Sequence, residues 1–334
     1  MVDRYSRQII FPEIGEAGQQ KLGRSSVVII GCGALGTVIA STLVRAGVGK
    51  LKIIDRDFIE YHNLQRQILF DENDIESQLP KAIAAERHLK KINSSIEIEG
   101  IVSDVNYTNI EKLVTGFDVI VDGLDNLETR YLVNDVALKR NIPWIYGAAV
   151  SSLGMTMTII PHQTPCLQCY SEYQTGPLMT CDTSGVISPA PLVIGALQSA
   201  EALKILVGSA AINRDLLSVD VWNNEYRQMK TKFHAKCPSC HGSYAFLDGK
   251  YGSGTATLCG QNAVQVRATQ PVQIDFRELS GRLEKVGKVD FNDYMLNFNV
   301  DNQNMVIFPD GRAIVKNTVN ESLARGLYAK YIGT

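Results

Sequence analysis

Four of the seven cysteines form two pairs, Cys166-x-x-Cys169 and Cys237-x-x-Cys240. Four thiolates supplied by two short loops match the tetrahedral coordination that Zn²⁺ prefers, and they leave no position open for a substrate. In a reducing cytosol such pairs indicate zinc and not disulfides. The spacing therefore predicts a structural zinc site that joins the chain after residue 237 to the region near residue 166. Four unrelated buried thiols are the alternative, since the 67 residues between the pairs exceed the length of a compact zinc ribbon.

A glycine-rich motif, Gly31-Cys-Gly-Ala-Leu-Gly36, follows the β-branched run Val27-Val-Ile-Ile and precedes an apolar-periodic stretch. Glycines let the backbone approach a phosphate, and the N-terminus of a helix offers unpaired N–H groups to an anion. Asp55 ends a second β-branched run 19 residues after Gly36, where an acid commonly binds a ribose. The motif alone is a weak signal, because a nicotinamide-dependent dehydrogenase uses the same loop and the same acid.

The residues after Asp55 separate these two functions. The segment Asn63-Leu-Gln-Arg66-Gln67, followed by Lys81, adds two cations and several amides where a dinucleotide site needs only the acid. A triphosphate carries roughly four negative charges, so its reaction with a carboxylate requires Arg or Lys and usually Mg²⁺. Asp125 follows a predicted strand, at the edge where open α/β sheets bind ligands, and is the predicted metal ligand.

Alternating strands and helices must position these residues. After the first βαβ unit, the pattern predicts a helix over 81–91, strands over 96–101 and 118–122, a helix over 130–140 and a strand over 144–146. An apolar helix is predicted over about 191–207, after a loop, 171–190, that we expect to be mobile. The predicted fold class is α/β: a Rossmann-like, mostly parallel sheet with helices on both faces and a zinc-clamped C-terminal part.

The composition changes after Cys240. We predict a nucleotide-binding domain over residues 1–242, a glycine-containing linker over 243–257 and a small α+β domain over 258–334. Within that tail, strands are predicted near 263–266, 305–308 and 313–315, and helices near 276–285 and 321–331.

Charge and hydrophobicity exclude several classes of protein. Thirty-three Lys and Arg oppose 35 Asp and Glu, so no overall positive field attracts nucleic acid or an anionic membrane. The first ten residues carry charges where a signal peptide is apolar, and no apolar run is expected to approach the about 20 residues of a membrane-spanning helix. We therefore expect a cytoplasmic protein.

Together these motifs resemble the ThiF/MoeB/HesA family, the prokaryotic relatives of ubiquitin-activating enzymes, and in particular a longer bacterial subset with a C-terminal extension. The resemblance covers about residues 4–242. It is carried, in order, by Arg4-Tyr5-Ser6-Arg7-Gln8, the loop 31–36, Asp55-x-Asp57, Asn63-Leu-Gln-Arg66-Gln67, Lys81, Asp125-Asn126 with Arg130, the cysteine pairs and Thr180-Cys181-Asp-Thr-Ser-Gly185. It implies a homodimeric enzyme that uses ATP and Mg²⁺, contains structural Zn²⁺, and adenylates the C-terminal glycine carboxylate of a ubiquitin-like sulfur carrier protein of the MoaD or ThiS type.

The resemblance also implies residue roles. The implied nucleotide ligands are Gly31, Gly33 and Gly36 in the loop, Asp55 at the ribose, Arg66, Gln67 and Lys81 at the phosphates, with Asn63 and Asn126 nearby. Asp125 would hold Mg²⁺ or the attacking geometry, and Arg7 would reach the phosphates in the partner subunit's site. Asp57 either shares the ribose or metal role or only caps the following turn.

The remaining cysteines bear on sulfur transfer. Cys181 matches the family's reactive cysteine, which can form an acyl-disulfide with the carrier, or it is a loop thiol without a covalent role. Only Cys259 follows Cys240, near the start of the tail, so the tail is not expected to act as a rhodanese. The sulfur donor is then a separate persulfide-bearing sulfurtransferase.

Three alternatives remain at this point. A NAD-dependent oxidoreductase would explain the glycine motif and Asp55 but would leave Arg66, Lys81 and Asp125 without a role. A tRNA-modifying dehydratase of the same fold fits poorly with the near-neutral charge and the cysteine pairs, and a non-catalytic scaffold fits poorly with a complete set of phosphate ligands. The sequence does not decide between a MoaD carrier, which serves molybdopterin synthesis in this family, and a ThiS carrier, which serves thiamine synthesis, although the segment around Cys181 resembles the ThiS branch more.

Overall fold

The computed structural model describes residues 4–171, 184–251, 255–258, 262–267, 272–300 and 302–333. The chain divides into two compact units, Met1–Tyr251 and Gly252–Thr334. Cys181, Cys259 and most of the segment 171–190 lie outside the described residues.

The first unit is built on an eight-stranded sheet in the order β3-β2-β1-β4-β5-β6-β7-β8. Its strands are β1 (Ser26–Ile30), β2 (Lys50–Asp55), β3 (Glu97–Val102), β4 (Val119–Asp122), β5 (Trp144–Val150), β6 (Leu153–Ile159), β7 (Leu216–Asp220) and β8 (Glu225–Met229). Strands β1 to β5 pair in parallel, and β6, β7 and β8 continue the sheet in antiparallel fashion. The predicted mostly parallel α/β sheet is confirmed.

Helices cover both faces of this sheet. They are α1 (Ser6–Ile9), α2 (Gly15–Leu22), α3 (Ala34–Ala46), α4 (Glu72–Glu76), α5 (Lys81–Ile92), α6 (Ile110–Val114), α7 (Leu127–Arg140), α8 (Leu167–Tyr170) and α9 (Pro189–Val207). Helices α6 and α7 share a core with Val28, Ile120 and Trp144, whereas α3 and α9 contact β4 and β5, and α5 contacts β2 and β3. The central parallel strands β1, β2 and β4 are buried along almost their whole length, as parallel strands covered on both faces usually are.

Among the described residues, one helix is long and apolar enough to cross a membrane by length and composition. Helix α9 has 19 residues, and its most apolar stretch has a mean hydropathy of 1.5, so the expectation that no apolar run approaches 20 residues is wrong here. Half of that stretch is buried inside the protein, against α3 and strands β5 and β6. Packing within the core accounts for its apolar character.

The strand order contains the switch point at which open α/β sheets generally bind ligands. The chain runs from β1 through β2 to β3 on one side and then returns to place β4 on the other side of β1. Such a switch point opens a crevice at the carboxyl ends of the two strands. Gly31 follows β1, Asp55 ends β2 and Asp125 follows β4, so all three lie at this edge.

The second unit contains a six-stranded sheet in the order β11-β12-β13-β14-β10-β9, in which every adjacent pair is antiparallel. Its elements are β9 (Thr255–Leu258), β10 (Ala263–Val266), α10 (Phe276–Leu283), β11 (Lys288–Phe291), β12 (Leu296–Val300), β13 (Gln303–Ile307), β14 (Ala313–Lys316) and α11 (Glu321–Tyr331). The two helices bury apolar side chains against one face of the sheet, among them Phe298, Leu279 and Tyr328. Both predicted helices and all three predicted strands are present, while β9, β11 and β12 were not predicted.

The segment predicted as a linker, 243–257, has a more definite structure at both ends. Phe246 and Leu247 are buried in the first unit, and the Phe246 ring stacks between Tyr131 and Tyr251 with centroid separations of 5.1 and 4.4 Å. Residues 255–258 form β9 of the second sheet.

Candidate nucleotide site and zinc centre

The glycine loop contains glycines of two kinds. Gly31 has a φ of +93°, and a Cβ there would lie 2.4 Å from the carbonyl oxygen of Gly123; a Cβ on Gly36 would lie 2.1 Å from the oxygen of Gly31. These two positions must be glycine for the turn to close. Gly33 differs, because a Cβ there would have no neighbour closer than 3.9 Å. As the N-cap of α3, Gly33 leaves the helix N-terminus open to an anion.

Asp55 links the glycine loop to the end of β2. Its carboxylate accepts hydrogen bonds from the backbone N–H of Cys32 at 2.5 Å and of Asp57 at 2.7 Å. Burial raises the pKa of Asp55, although the ammonium of Lys81 acts in the opposite direction. Asp55 therefore fixes the shape of the loop, and each oxygen keeps a lone pair that a hydroxyl can use.

Lys81 supplies a buried positive charge. It is the first residue of α5, and its Nζ lies 3.5 Å from a carboxylate oxygen of Asp57. Burial alone would lower the pKa of Lys81, but the carboxylates of Asp57, Asp55 and Asp125 outweigh it and raise the pKa. The side chain is therefore a cation at neutral pH. Asp57 faces this cation and forms an ion pair with it.

A second cation, Arg56, was missed by the sequence analysis. Its Nη1 lies 3.0 Å from Asp104, two residues beyond β3, and its Nε lies 3.7 Å from Asp57. Burial lowers the pKa of Arg56, and the surrounding carboxylates, Asp57 first, more than reverse that effect. In the sequence, Arg56 stands between the two acids of the Asp55-x-Asp57 motif, and this position could have identified it as a site residue.

Gln67 is the buried amide beside the open face of the loop. The residue is 3% exposed, its Oε1 has no hydrogen-bond partner among the described residues, and its Nε2 would be 3.9 Å from a Cβ on Gly33. A buried polar atom without a partner calls for a ligand or a water. Asn63 supports this segment, because its backbone carbonyl accepts from the Gln67 N–H at 3.0 Å.

Arg66 is only partly exposed and donates from Nη1 to the carbonyl of His62 at 2.8 Å. This hydrogen bond holds the Arg66 guanidinium against the short helical segment Tyr61–Asn63, which precedes it. Asn63 stabilises that segment, because its side-chain oxygen accepts a hydrogen bond from the Glu60 N–H at 3.0 Å.

Asp125 is exposed on the loop that follows β4. Asn126, the N-cap of α7, donates to an Asp125 carboxylate oxygen at 3.3 Å and accepts from the Thr129 N–H at 2.9 Å. Below them lies a buried ion pair in which Arg130 Nε donates to Asp122 Oδ2 at 3.0 Å. Arg130 also donates to the carbonyl of Leu124 at 2.5 Å, so it sets the shape of the loop that carries Asp125.

Arg7 lies far from the glycine loop of its own chain. Helix α1 is held by Gln8, which donates to the carbonyl of Ala46 at 2.8 Å, and by Tyr5, which accepts from the Asn93 amide at 2.9 Å. Ala46 and Asn93 lie at the C-terminal ends of α3 and α5, whose N-terminal ends form the site. Helices of this length span about 18–20 Å. The exposed Arg7 is thus anchored at the opposite end of both helices.

The four paired cysteines come together, and we call Cys166 and Cys169 the first pair and Cys237 and Cys240 the second. The Sγ–Sγ separations are 3.9 Å within the first pair and 3.5 Å for Cys166–Cys237, Cys169–Cys240 and Cys166–Cys240. Tetrahedral Zn–S bonds of about 2.3 Å require sulfurs about 3.8 Å apart. The donor set and its spacing fit zinc.

The Rossmann-like sheet, with a glycine loop and a cluster of carboxylates and cations at its switch point, is that of a nucleotide-binding protein, and four cysteines of the chain are close enough together to hold a metal ion. The model of the ThiF family matches residues 5–239. The chain belongs to the ThiF family.

Curated relatives agree with this assignment. The sulfur carrier protein ThiS adenylyltransferase of Bacillus subtilis is 44% identical over the full length of both chains. The protein of the same name from Escherichia coli is 36% identical and covers 72% of this chain and 96% of its own length. Among solved structures, E. coli MccB with ATP is 25% identical, with a TM-score of 0.63, over 72% of this chain and 75% of that one. These relatives do not favour an oxidoreductase.

Proposed function

We propose that this chain is an ATP-dependent adenylyltransferase that activates the C-terminal glycine carboxylate of a ubiquitin-like sulfur carrier protein of the ThiS or MoaD type. One arrangement carries the proposal: the open N-terminus of α3 at Gly33 lies beside the buried Gln67, whose Oε1 has no hydrogen-bond partner in the described part of the chain. The 44% identity to a ThiS adenylyltransferase along the whole chain supports the substrate class.

The chain's own groups act by position and charge. The phosphates of ATP bind at the open loop, where the N–H groups of α3 and the ammonium of Lys81 neutralise their charge. The carrier carboxylate attacks the α-phosphorus, an acyl–phosphate bond forms, and the bond to pyrophosphate breaks. No proton is transferred in this step. Asp55 orients the ribose through the lone pairs that its backbone contacts leave free.

Mg²⁺ fits the acidic groups at this edge. Asp125 is an exposed carboxylate and Asp57 is partly exposed, and carboxylate oxygens are the ligands that Mg²⁺ prefers. When bound, the ion would neutralise phosphate charge. Asp125 would hold it, and Arg130 would keep the Asp125 loop in place.

We further infer a homodimer in which Arg7 contributes to the partner subunit's site. Arg7 is anchored away from the loop of its own chain, and the neighbouring Ile10 and Phe11 are 68% and 53% exposed. Such exposed apolar side chains suit an interface. In this proposal residues 1–242 carry the adenylation site, 258–334 form a separate domain, and the sulfur comes from a separate persulfide-bearing sulfurtransferase in the cytoplasm.

A panel of carriers tests the function. The purified chain is incubated with ATP, Mg²⁺ and purified ThiS-type or MoaD-type carriers, and mass spectrometry measures the mass of the carrier adenylate. Carrier-dependent exchange of pyrophosphate into ATP is expected in parallel. A truncated carrier that lacks the terminal glycine is the matched control and should give neither signal. Absence of an adenylate with every carrier, or NADH formation with a hydroxy substrate, would contradict the proposal.

A further inference from the structure

Helix α7 contacts both cysteine pairs through two adjacent side chains. The Asn134 side-chain oxygen accepts a hydrogen bond at 2.9 Å from the backbone N–H of Leu167, which lies within the first pair. The Asp135 carboxylate accepts at 2.6 Å from the hydroxyl of Ser239, which lies within the second pair. Asn134 therefore binds the loop of the first pair, and Asp135 binds the loop of the second.

Asp135 also fixes the chain that leaves the second pair. Its other carboxylate oxygen accepts from the N–H of Phe246 at 3.0 Å and from that of Leu247 at 3.4 Å. One turn earlier on α7, Tyr131 stacks on Phe246 and donates its hydroxyl to the carbonyl of Ser171, just after the first pair. Residues four apart lie on one face of a helix, so this face of α7 holds the segments that flank both pairs.

Asn134 and Asp135 are completely buried. A buried carboxylate is costly unless hydrogen bonds satisfy it, and three donors of the second pair and its exit segment satisfy Asp135. Simple packing of α7 would be served as well by an apolar residue. The burial of a charged group with these partners therefore indicates a specific positioning role.

We propose that Asn134 and Asp135 are positioning residues of the zinc centre, each aligning one cysteine pair so that the four sulfurs lie at metal-binding separation. Sixty-seven residues separate the pairs, and bringing them together costs chain entropy. The contacts to α7 form during folding and offset this loss of entropy, so the metal binds to cysteine pairs that already lie close together. The inference rests on the proposal that these cysteines bind zinc.

The test measures zinc affinity of the full chain by competition with a chromophoric chelator. Asp135→Asn keeps the size of the side chain but loses one acceptor, and outer-shell partners of this kind change metal affinity by about 10–100-fold. We expect a loss in that range. Asp248→Asn is the matched control, because it removes an exposed carboxylate close to Asp135, and it should bind zinc as the wild type does.

A second measurement separates positioning from general stability. The zinc-dependent rise in Tm should shrink in Asp135→Asn and, to a smaller degree, in Ser239→Ala, which removes only the hydroxyl donor. If Asp135→Asn lowers the Tm of the zinc-free and zinc-loaded chains equally and zinc affinity stays at the wild-type value, the positioning role is refuted. If Asp135→Asn does not fold, Ser239→Ala decides: several-fold weaker zinc binding supports the role, and unchanged binding refutes it. A wild-type chain that binds no zinc would refute the zinc proposal itself.

Discussion

At the scale of single residues, Asp125 is the group whose removal should affect chemistry most selectively. It is exposed, and its one described hydrogen bond comes from the neighbouring Asn126. Asp125→Ala should therefore leave Tm and zinc content unchanged while pyrophosphate exchange falls by two or more orders of magnitude, about 3 kcal/mol or more of transition-state stabilisation. Glu128→Gln is the control, because Glu128 is an exposed acid in the first turn of α7, the helix that follows the Asp125 loop, and this variant should retain activity. Near wild-type exchange in Asp125→Ala would remove this residue from the mechanism.

Residue types predicted which side chains lie together better than they predicted the contacts of those side chains. The sequence predicted Asp55, Lys81 and Gln67 as site residues, and the structure places all three near the glycine loop, while their roles stay predictions. The sequence could not show that Asp55 already binds two backbone N–H groups, or that Arg130 is buried against Asp122 beneath the Asp125 loop. Those contacts depend on strands that are distant in the chain.

At the scale of elements, the glycine loop allows a contrast between two glycines. Gly36→Ala would place a Cβ 2.1 Å from a backbone oxygen, so we expect a loss of about 3 kcal/mol or more in the free energy of unfolding, or no folded protein. Gly33→Ala meets no close atom and should fold with a Tm near the wild-type value. Its methyl group occupies the open face of the loop, so the KM for ATP should rise roughly tenfold, about 1.4 kcal/mol. Thermal unfolding and exchange kinetics check both variants, and an unchanged KM in Gly33→Ala would place the phosphates elsewhere.

The zinc centre provides a second contrast between elements. Cys237→Ser should lose metal and stability together, because folding and metal binding are coupled in a four-thiolate site and Cys237 supplies one of the four sulfurs, 3.5 Å from Cys166 Sγ. Cys181→Ser should retain zinc and adenylation, while any disulfide-linked or thioester conjugate with the carrier disappears. Metal analysis, thermal unfolding and non-reducing gels give the three readouts. Loss of zinc from Cys181→Ser, or an unchanged conjugate, would contradict this division of the cysteines.

Element types were also predictable to different extents. Helices α5 and α7 and strands β1 to β5 have clear periodicity, and the structure confirms them with boundaries shifted by a few residues. Strands β11 and β12 were missed, although Leu296-Asn-Phe-Asn-Val alternates apolar and polar residues as an antiparallel strand does. The short length of these strands and the neighbouring polar residues weakened the signal.

At the scale of the whole molecule, the position of Arg7 leads to a prediction about assembly. If Arg7 acts in the partner subunit's site, Arg7→Ala and Lys81→Ala chains are each nearly inactive, because every site lacks one cation. After mixing and subunit exchange, half of the dimers are mixed and each mixed dimer has one complete site. About one quarter of wild-type pyrophosphate exchange should then return.

A second mixture controls for this interpretation. Lys81 and Asp125 lie at the same carboxyl edge of one sheet, and the Asp125 carboxylate contributes to the raised pKa of Lys81, so they belong to one chain's site. Lys81→Ala and Asp125→Ala chains should therefore recover no activity on mixing, because neither site of the mixed dimer is complete. Native mass spectrometry of one isotope-labelled chain verifies exchange in both mixtures. Failure of the Arg7 mixture to recover despite exchange would show that each site is complete within one chain, and recovery by the Lys81 and Asp125 mixture would show that these two residues act across the interface.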